Sequence, residues 1–434
     1  MHASKTAEDT LADWLIYLES LHPKTIEMGL QRVNQVRLAL DLKPQFPIFM
    51  VGGTNGKGSV CAMLESILWR AGYTVGCYTS PHLLRYNERV RINKKEVDDK
   101  RFSHVFEKID AARTRCQVSL TFFEFGTLAA VSLFADAGVD VAILEVGLGG
   151  RLDAVNIFEP SCSILTNVDL DHREYLGDTR EQIGFEKAAI FRNHTPSIYG
   201  DADVPESVRT QVSTIGAHFF QFGKDFGFLK KNQQWDFWSS GVSRHSLPLP
   251  ALRGDRQLQN ASACLAALNV LNETLPVSMN AIRQGLTEAV IPGRFQVFST
   301  QPLIILDVAH NPGAAGVLSE NLTATKPSGK TFAVFSMLQD KDISRVVDRL
   351  RNNIDYWLVS SLQTPRAALV DTLVNEIRKA GVPMENDTVR QFPDVVAAFV
   401  FACERAGKND RICIFGSFYT VSDVLLYLNT VSHP

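Results

Sequence analysis

Apolar positions in the first forty residues recur at helical spacing. Leu11, Trp14, Leu15 and Leu18 share one face, and beyond His22-Pro23 a second face is formed by Ile26, Leu30, Val33, Val36 and Leu40. The pattern then changes to short runs that are apolar on both faces and separated by helical stretches. It predicts strands over residues 48–51, 74–78, 141–146 and 163–166, with helices over 60–70 and 122–137. Strands without a polar face belong to a parallel sheet covered by helices on both sides. Residues 194–250 are less regular. The stretch FQFGKDFGFLKKNQQWDFW alternates in a way that predicts antiparallel hairpins, LPLPALRG reads as a rigid turn, and a helix returns over 257–271.

Pro292-Gly293 closes this region, and a second alternation begins at Pro302. Strands are predicted over 303–307, 332–336, 357–360 and 412–415. Helices are predicted over 343–350, 368–380 and 395–406 and after the last strand. The chain is therefore read as two α/β domains, residues 1–296 with a parallel sheet and a smaller Rossmann-like domain over 297–434, both within the usual size range.

Composition narrows the functional classes. The 434 residues carry 44 basic and 47 acidic side chains, a formal charge of -3, and 45% apolar types, which argues against disorder and gives no electrostatic footprint for nucleic acid or anionic membrane. The longest uncharged apolar run, residues 395–403, falls far short of the roughly 20 needed to span a bilayer. With no basic-then-apolar leader at the start, a cytoplasmic location is expected. Seven cysteines at 61, 77, 116, 162, 264, 403 and 413 form no CxxC pair and read as free thiols.

The strongest local motif is IFMVGGTNGKGSVC over residues 48–61: an apolar strand, a glycine-rich turn, a lysine and a hydroxyl at a helix start. Such a turn aims successive backbone N–H groups at a polyanion, and Lys57 supplies a point charge for terminal phosphates. Gly58 separates Lys57 from Ser59, one residue longer than the strict phosphate-loop pattern. The turn Ser80-Pro81-His82 ends the strand that starts at Thr74, where parallel sheets place ligands, although by itself it reads first as a strand-terminating turn. Glu145 places a charge near the end of the apolar run VAILEV, which is costly without a cation partner, either a lysine or a metal. Next come Gly147, Gly149, Gly150, Arg151, Asp153 and Asn156, and CSILTNV then leads to Asp169, Asp171 and His172. Two strands thus deliver oxygen and nitrogen donors to one sheet edge beside the glycine turn. A glutamate, a hydroxyl and a histidine suit Mg²⁺, which relies on substrate phosphates for much of its shell. Helical periodicity alone places Lys187 on a solvated face.

Taken together, GGTNGKGS, TSPHLLRYNERVRI, LTFFEFGT, ILEVGLGGRLDAVN, LDHREYLGDTREQIGFEKAAIF, PGRF, LDVAHNPGA and FGSFY resemble, in order and over nearly the whole chain, the folylpolyglutamate synthase/dihydrofolate synthase family. That family is a branch of the Mur-ligase-type ATP-dependent amide ligases. The resemblance implies an enzyme with a phosphate-loop Mur-ligase-like domain and a C-terminal α/β glutamate ligase domain, and since nothing in the sequence requires a partner subunit a monomer is expected. It implies a ligase that uses ATP and Mg²⁺ to join L-glutamate to dihydropteroate and to reduced folates through an acyl phosphate. Carried over residue by residue, Gly53, Thr54, Asn55, Gly56, Lys57, Gly58 and Ser59 would hold the phosphates. Ser80, Glu145 and His172, with Ser59 nearby, would hold the metal. Lys187 would be carbamylated, so that Lys57, Lys187, His172 and Glu145 form the catalytic set. Asn260, Arg294 and Asp307, with His310 and Asn311, would grip the nucleotide from the second half. Glu27, Met28, Gly29 and Leu30, Thr121, Phe122, Phe123 and Glu124, and Asp153, Ala154 and Val155 would receive the pterin and aminobenzoyl head. Glu27 departs from the aspartate usual at that position, which keeps the carboxylate and changes its reach. An acyl phosphate is hydrolysable, so a closing cleft with a hinge near Pro292-Gly293 is also implied.

Other readings share some of these features. A Mur-type ligase acting on a UDP-linked sugar peptide would keep the phosphate loop and the DVAHN block, but LTFFEFGT and the short region before residue 48 fit the folate branch better. A folylpolyglutamate synthase without dihydropteroate activity and a nucleotide-responsive regulatory protein remain distinguishable by turnover.

Overall fold

The computed structural model describes residues 5–22, 26–325, 327–385 and 387–432. Its packing divides into two compact units. The first runs to Ala251 and resumes at Gln257–Ala289, and the second comprises Leu252–Arg256 and the chain from Val290 onward.

The first unit opens with α1 (Leu11–Leu21) and α2 (Gln31–Ala39), then β1 (Ile48–Gly52), α3 (Lys57–Arg70), β2 (Val75–Tyr78), β3 (Val90–Ile92), β4 (Lys95–Glu96), α4 (Asp99–Cys116), α5 (Phe122–Ala137) and β5 (Val141–Glu145). It continues through β6 (Cys162–Leu165), α6 (Arg173–Leu176), α7 (Arg180–Ala188), β7 (Pro196–Tyr199), α8 (Glu206–Ile215) and β8 (His218–Gln221). These eight strands form one sheet in the order β4-β3-β2-β5-β1-β6-β7-β8, parallel except at the β2/β3 and β3/β4 pairings. Every residue of β1, β2, β5 and β6 is buried, as a sheet covered on both faces requires. A three-stranded antiparallel sheet, β9 (Phe226–Lys231), β10 (Gln234–Ser239) and β11 (Val242–Pro248), follows, with α9 (Asp255–Val270) and α10 (Met279–Glu288).

The helix α5 shows how local sequence sets an element. Thr121 accepts from the Glu124 N–H, the Glu124 carboxylate accepts from the Thr121 N–H, and Gly138 closes the other end in the left-handed conformation. Phe125, Leu128, Ala129, Val131 and Phe134 then enter the core with Trp14, Phe102 and Phe106. Burial of each large side chain there stabilises the fold by about 2 kcal/mol.

Two expectations need correction. The hairpin expected in residues 220–238 forms as β9 and β10, but its first two residues belong to β8, which with β7 extends the main sheet in parallel. Ile26 does not join a helical face, because α2 starts at Gln31 and Ile26 is exposed. The pattern also misses β3, β4, α4, β7, α8, β8 and α10.

The second unit contains β12 (Gln296–Thr300), β13 (Leu303–Leu306), α11 (Pro312–Ala324), β14 (Thr331–Phe335), α12 (Ile343–Leu350), β15 (Tyr356–Ser360), α13 (Val370–Lys379), β16 (Val389–Phe392), α14 (Val395–Arg405), β17 (Arg411–Phe415) and α15 (Phe418–Ser432). Its strand order is β12-β13-β17-β14-β15-β16, with only β12 antiparallel to its neighbour. The pattern missed β12, α11 and β16. All seven cysteines are free thiols, and no described helix is long and apolar enough to cross a membrane.

Candidate active site

The turn between β1 and α3 lies at the carboxyl edge of the main sheet. Gly53 has φ of 140° and Gly56 of 87°, values that only glycine adopts at little cost. A Cβ on Gly53 would stand 1.8 Å from Thr166 Oγ1, and one on Gly56 would stand 2.8 Å from Asn260 Oδ1. The turn is therefore clasped from two sides. From β6 outward, Thr166 Oγ1 donates to the Asn55 carbonyl (2.6 Å), Asn167 Oδ1 accepts from the Asn55 N–H (3.0 Å), and Thr54 Oγ1 accepts from the Asp169 N–H (3.0 Å). From α9 comes Asn260, so the structure brings this predicted residue to the glycine turn. Ser59 is buried in the first turn of α3, and Gly58 faces open space. Lys57 Nζ folds back to donate to the carbonyls of Gly53 (3.1 Å) and Thr54 (3.4 Å).

The parallel register places the predicted metal residues on the same edge. Glu145 pairs with Val51 across β5 and β1, one step before the glycine turn, and its buried carboxylate accepts from the Ser80 N–H at 3.2 Å. His172 has φ of 50° at the start of α6, with Nε2 3.9 Å from the Asp171 carboxylate. Among the described residues no three or more His, Cys, Asp or Glu side chains form a metal-holding group. The predicted set contains only two such residues. Its hydroxyl, carboxylate and imidazole donors fit a hard cation that completes its shell with phosphate oxygens.

Lys187 departs from the sequence expectation. It occupies the last turn of α7 but is 5% exposed, because that turn is covered by the glycine loop, and its Nζ donates to the same Gly53 carbonyl at 3.0 Å. Burial, together with the nearby Lys57 ammonium, lowers its pKa from the ordinary 10.5 to about 7, against the opposing pull of Asp171 and Asp153. Asp153 is buried too. Burial raises its pKa to about 6, although its carboxylate accepts from the N–H groups of Leu148 (2.8 Å) and Val155 (3.0 Å).

The three predicted head-group segments lie in this unit. Glu27 Oε2 is 2.9 Å from His22 Nε2, the Gly29 N–H donates to the Leu152 carbonyl, Met28 reaches toward Gly149, and Leu30 precedes α2. Thr121 and Glu124 form the α5 cap, with Phe122 edge-on to Tyr86 and Phe123 beside Tyr78. Ala154 and Val155 begin a short 3₁₀ turn after Asp153. Sequence reasoning missed Thr166 and Asn167. They sit outside the quoted signatures or carry no local pattern of their own.

In the second unit, Asp307 immediately follows β13 and is buried, accepting from the N–H groups of Phe295 and Ala309 (both 2.8 Å). Burial raises its pKa, opposed by Arg294. The Arg294 guanidinium lies 5.6 Å from the Phe418 ring, His310 Nδ1 is 2.9 Å from the Val308 carbonyl, and Asn311 caps α11. These four residues thus gather at the carboxyl end of β13.

The Mur ligase middle domain matches residues 51–268, and the Mur ligase glutamate ligase domain matches residues 293–418. The dihydrofolate synthase/folylpolyglutamate synthase of Escherichia coli is 42% identical over 420 residues, covering 96% of each chain. The solved structure of E. coli FolC in complex with DHPP and ADP has a TM-score of 0.93 and 41% identity, covering 98% of this chain and 99% of that one. The Yersinia pestis bifunctional folylpolyglutamate synthase/dihydrofolate synthase, complexed with AMPPNP and a Mn ion, has a TM-score of 0.91 and 44% identity, covering 98% of this chain and 100% of its own. The chain belongs to the dihydrofolate synthase/folylpolyglutamate synthase family of Mur ligases.

Proposed function

We propose that this chain uses ATP and a divalent metal to join L-glutamate to dihydropteroate, giving dihydrofolate, and to reduced folates, giving polyglutamates, at one centre. The observation that carries the reading is the meeting of Lys57 and Lys187 on the Gly53 carbonyl, at 3.1 and 3.0 Å, beside the sheet edge that presents Glu145.

A carboxylate is a poor acyl donor, so the γ-phosphoryl of ATP is first transferred to it. The amine of glutamate then attacks the acyl phosphate, and phosphate leaves as the amide forms. The N–H groups of residues 53–59 bind the phosphate chain, and the Lys57 ammonium swings from Gly53 to meet the charge on the transferring group. The proposed metal residues are Ser80, Glu145 and His172, with Ser59. When bound, Mg²⁺ supplies electrostatic stabilisation of the phosphates. Asn260 acts from α9, and Arg294, Asp307, His310 and Asn311 are the nucleotide residues proposed for the second unit.

Lys187 is proposed to be carbamylated. A pKa near 7 leaves much of the amine neutral at physiological pH, and the neutral amine adds CO₂ with loss of a proton, giving N-linked carbamate. The product is an anion where an ammonium would repel a cation.

An ADP-release assay with dihydropteroate, tetrahydrofolate, tetrahydrofolyl-glutamate and a UDP-muramoyl substrate tests the reading. Glutamate-dependent turnover is expected with the first three, and turnover confined to the UDP substrate overturns it.

A further inference from the structure

We infer that Arg32 is the positioning residue that holds the acceptor head-group site together. This inference rests on the assignment of residues 27–30 and 121–124 to that site. Arg32 stands in the first turn of α2. Its Nη2 donates both to the Glu27 carbonyl (3.2 Å) and to Glu124 Oε1 (3.0 Å), and its Nη1 lies 3.5 Å from Glu27 Oε1. One guanidinium therefore ties main chain and side chain of the first segment to the N-terminal turn of α5.

The partners show that this is more than a surface pair. Glu124 is 3% exposed, and its second oxygen accepts from the Thr121 N–H at 2.7 Å, so the arginine is anchored on a carboxylate that is itself fixed. The outer oxygen of Glu27 is taken by His22 at 2.9 Å. The other two sides of the site are closed by packing. The Gly29 N–H donates to the Leu152 carbonyl, next to Asp153, and Phe123 lies so close over Gly147 that a Cβ there would stand 2.6 Å from Phe123 Cζ. All three segments are joined, and the link between the first two is made by Arg32. A planar fork meets two carboxylates and a carbonyl at once, whereas a lysine ammonium on a flexible stem cannot hold the same angles.

The segments touch the acceptor and not the phosphates, so the effect falls on acceptor binding. Arg32→Gln is expected to raise KM for dihydropteroate at least tenfold, with KM for ATP and kcat at saturating acceptor within about threefold of wild type. Arg32→Lys is expected to recover part of the loss. Phe123→Ala and Glu27→Gln serve as controls for the underlying assignment. If they raise acceptor KM while Arg32→Gln leaves it unchanged, the inference on Arg32 is overturned and the assignment stands. If none of the three changes acceptor KM, the assignment itself falls. Equal losses in KM for ATP and in kcat for Arg32→Gln would assign it a general structural role and also overturn the inference.

Discussion

Replacing Lys187 by Met is expected to remove activity and yet stabilise the unliganded protein, by an amount that depends on pH. The side chains are similar in length and apolar volume, so the variant chiefly removes a buried amine that donates to Gly53. A folded-state pKa of about 7 against 10.5 in the unfolded chain means that the unfolded chain binds more protons throughout that interval. Stability from this group is therefore fully present above about 10.5 and is lost as the pH falls through 7, where the penalty reaches roughly 5 kcal/mol. Between pH 7 and pH 9 the wild-type chain should regain about 2 kcal/mol relative to Lys187→Met. Urea unfolding of both proteins in carbonate-free buffer measures this directly. Four of the five tryptophans, Trp14, Trp69, Trp235 and Trp238, lie in the first unit, so indole fluorescence reports mainly on its transition. The variant should lead at pH 7, with the lead shrinking toward pH 9. A difference that stays constant or widens over that interval would refute the buried-amine argument.

Lys57→Ala should lower ATP-dependent ligation at least about 100-fold while thermal unfolding stays close to wild type, since the side chain contacts only loop carbonyls. Gly53→Ala, with φ of 140° and a Cβ 1.8 Å from Thr166 Oγ1, should cost at least about 2 kcal/mol and weaken ADP binding measured by calorimetry. Glu145→Ala should depress dihydropteroate and tetrahydrofolate ligation together in kcat/KM, whereas Phe123→Ala should change their ratio; loss of only one activity in Glu145→Ala would argue for two centres.

Much of this protein is legible in its sequence because the signals are local. The strand, glycine turn and helix over 48–70 follow from apolar runs flanking glycines, and α5 begins at Thr121 because its own Glu124 completes the cap. Family signatures extend that reach to Glu145 at the end of β5, Asp307 just after β13 and His172 at the start of α6. Three features were decided only when distant segments met. The aromatic alternation around β8 looks the same whether its partner is a hairpin neighbour or the parallel β7, since strand direction is a property of the pair. Lys187 has the helical position of a surface lysine, and it is buried because the glycine loop, 134 residues earlier in the chain, closes over it. Arg32 gains its role from Glu124, 92 residues away. Periodicity reports which face of an element is apolar. Burial of a charge, and the pKa that follows from it, depends on what the rest of the chain lays against that face.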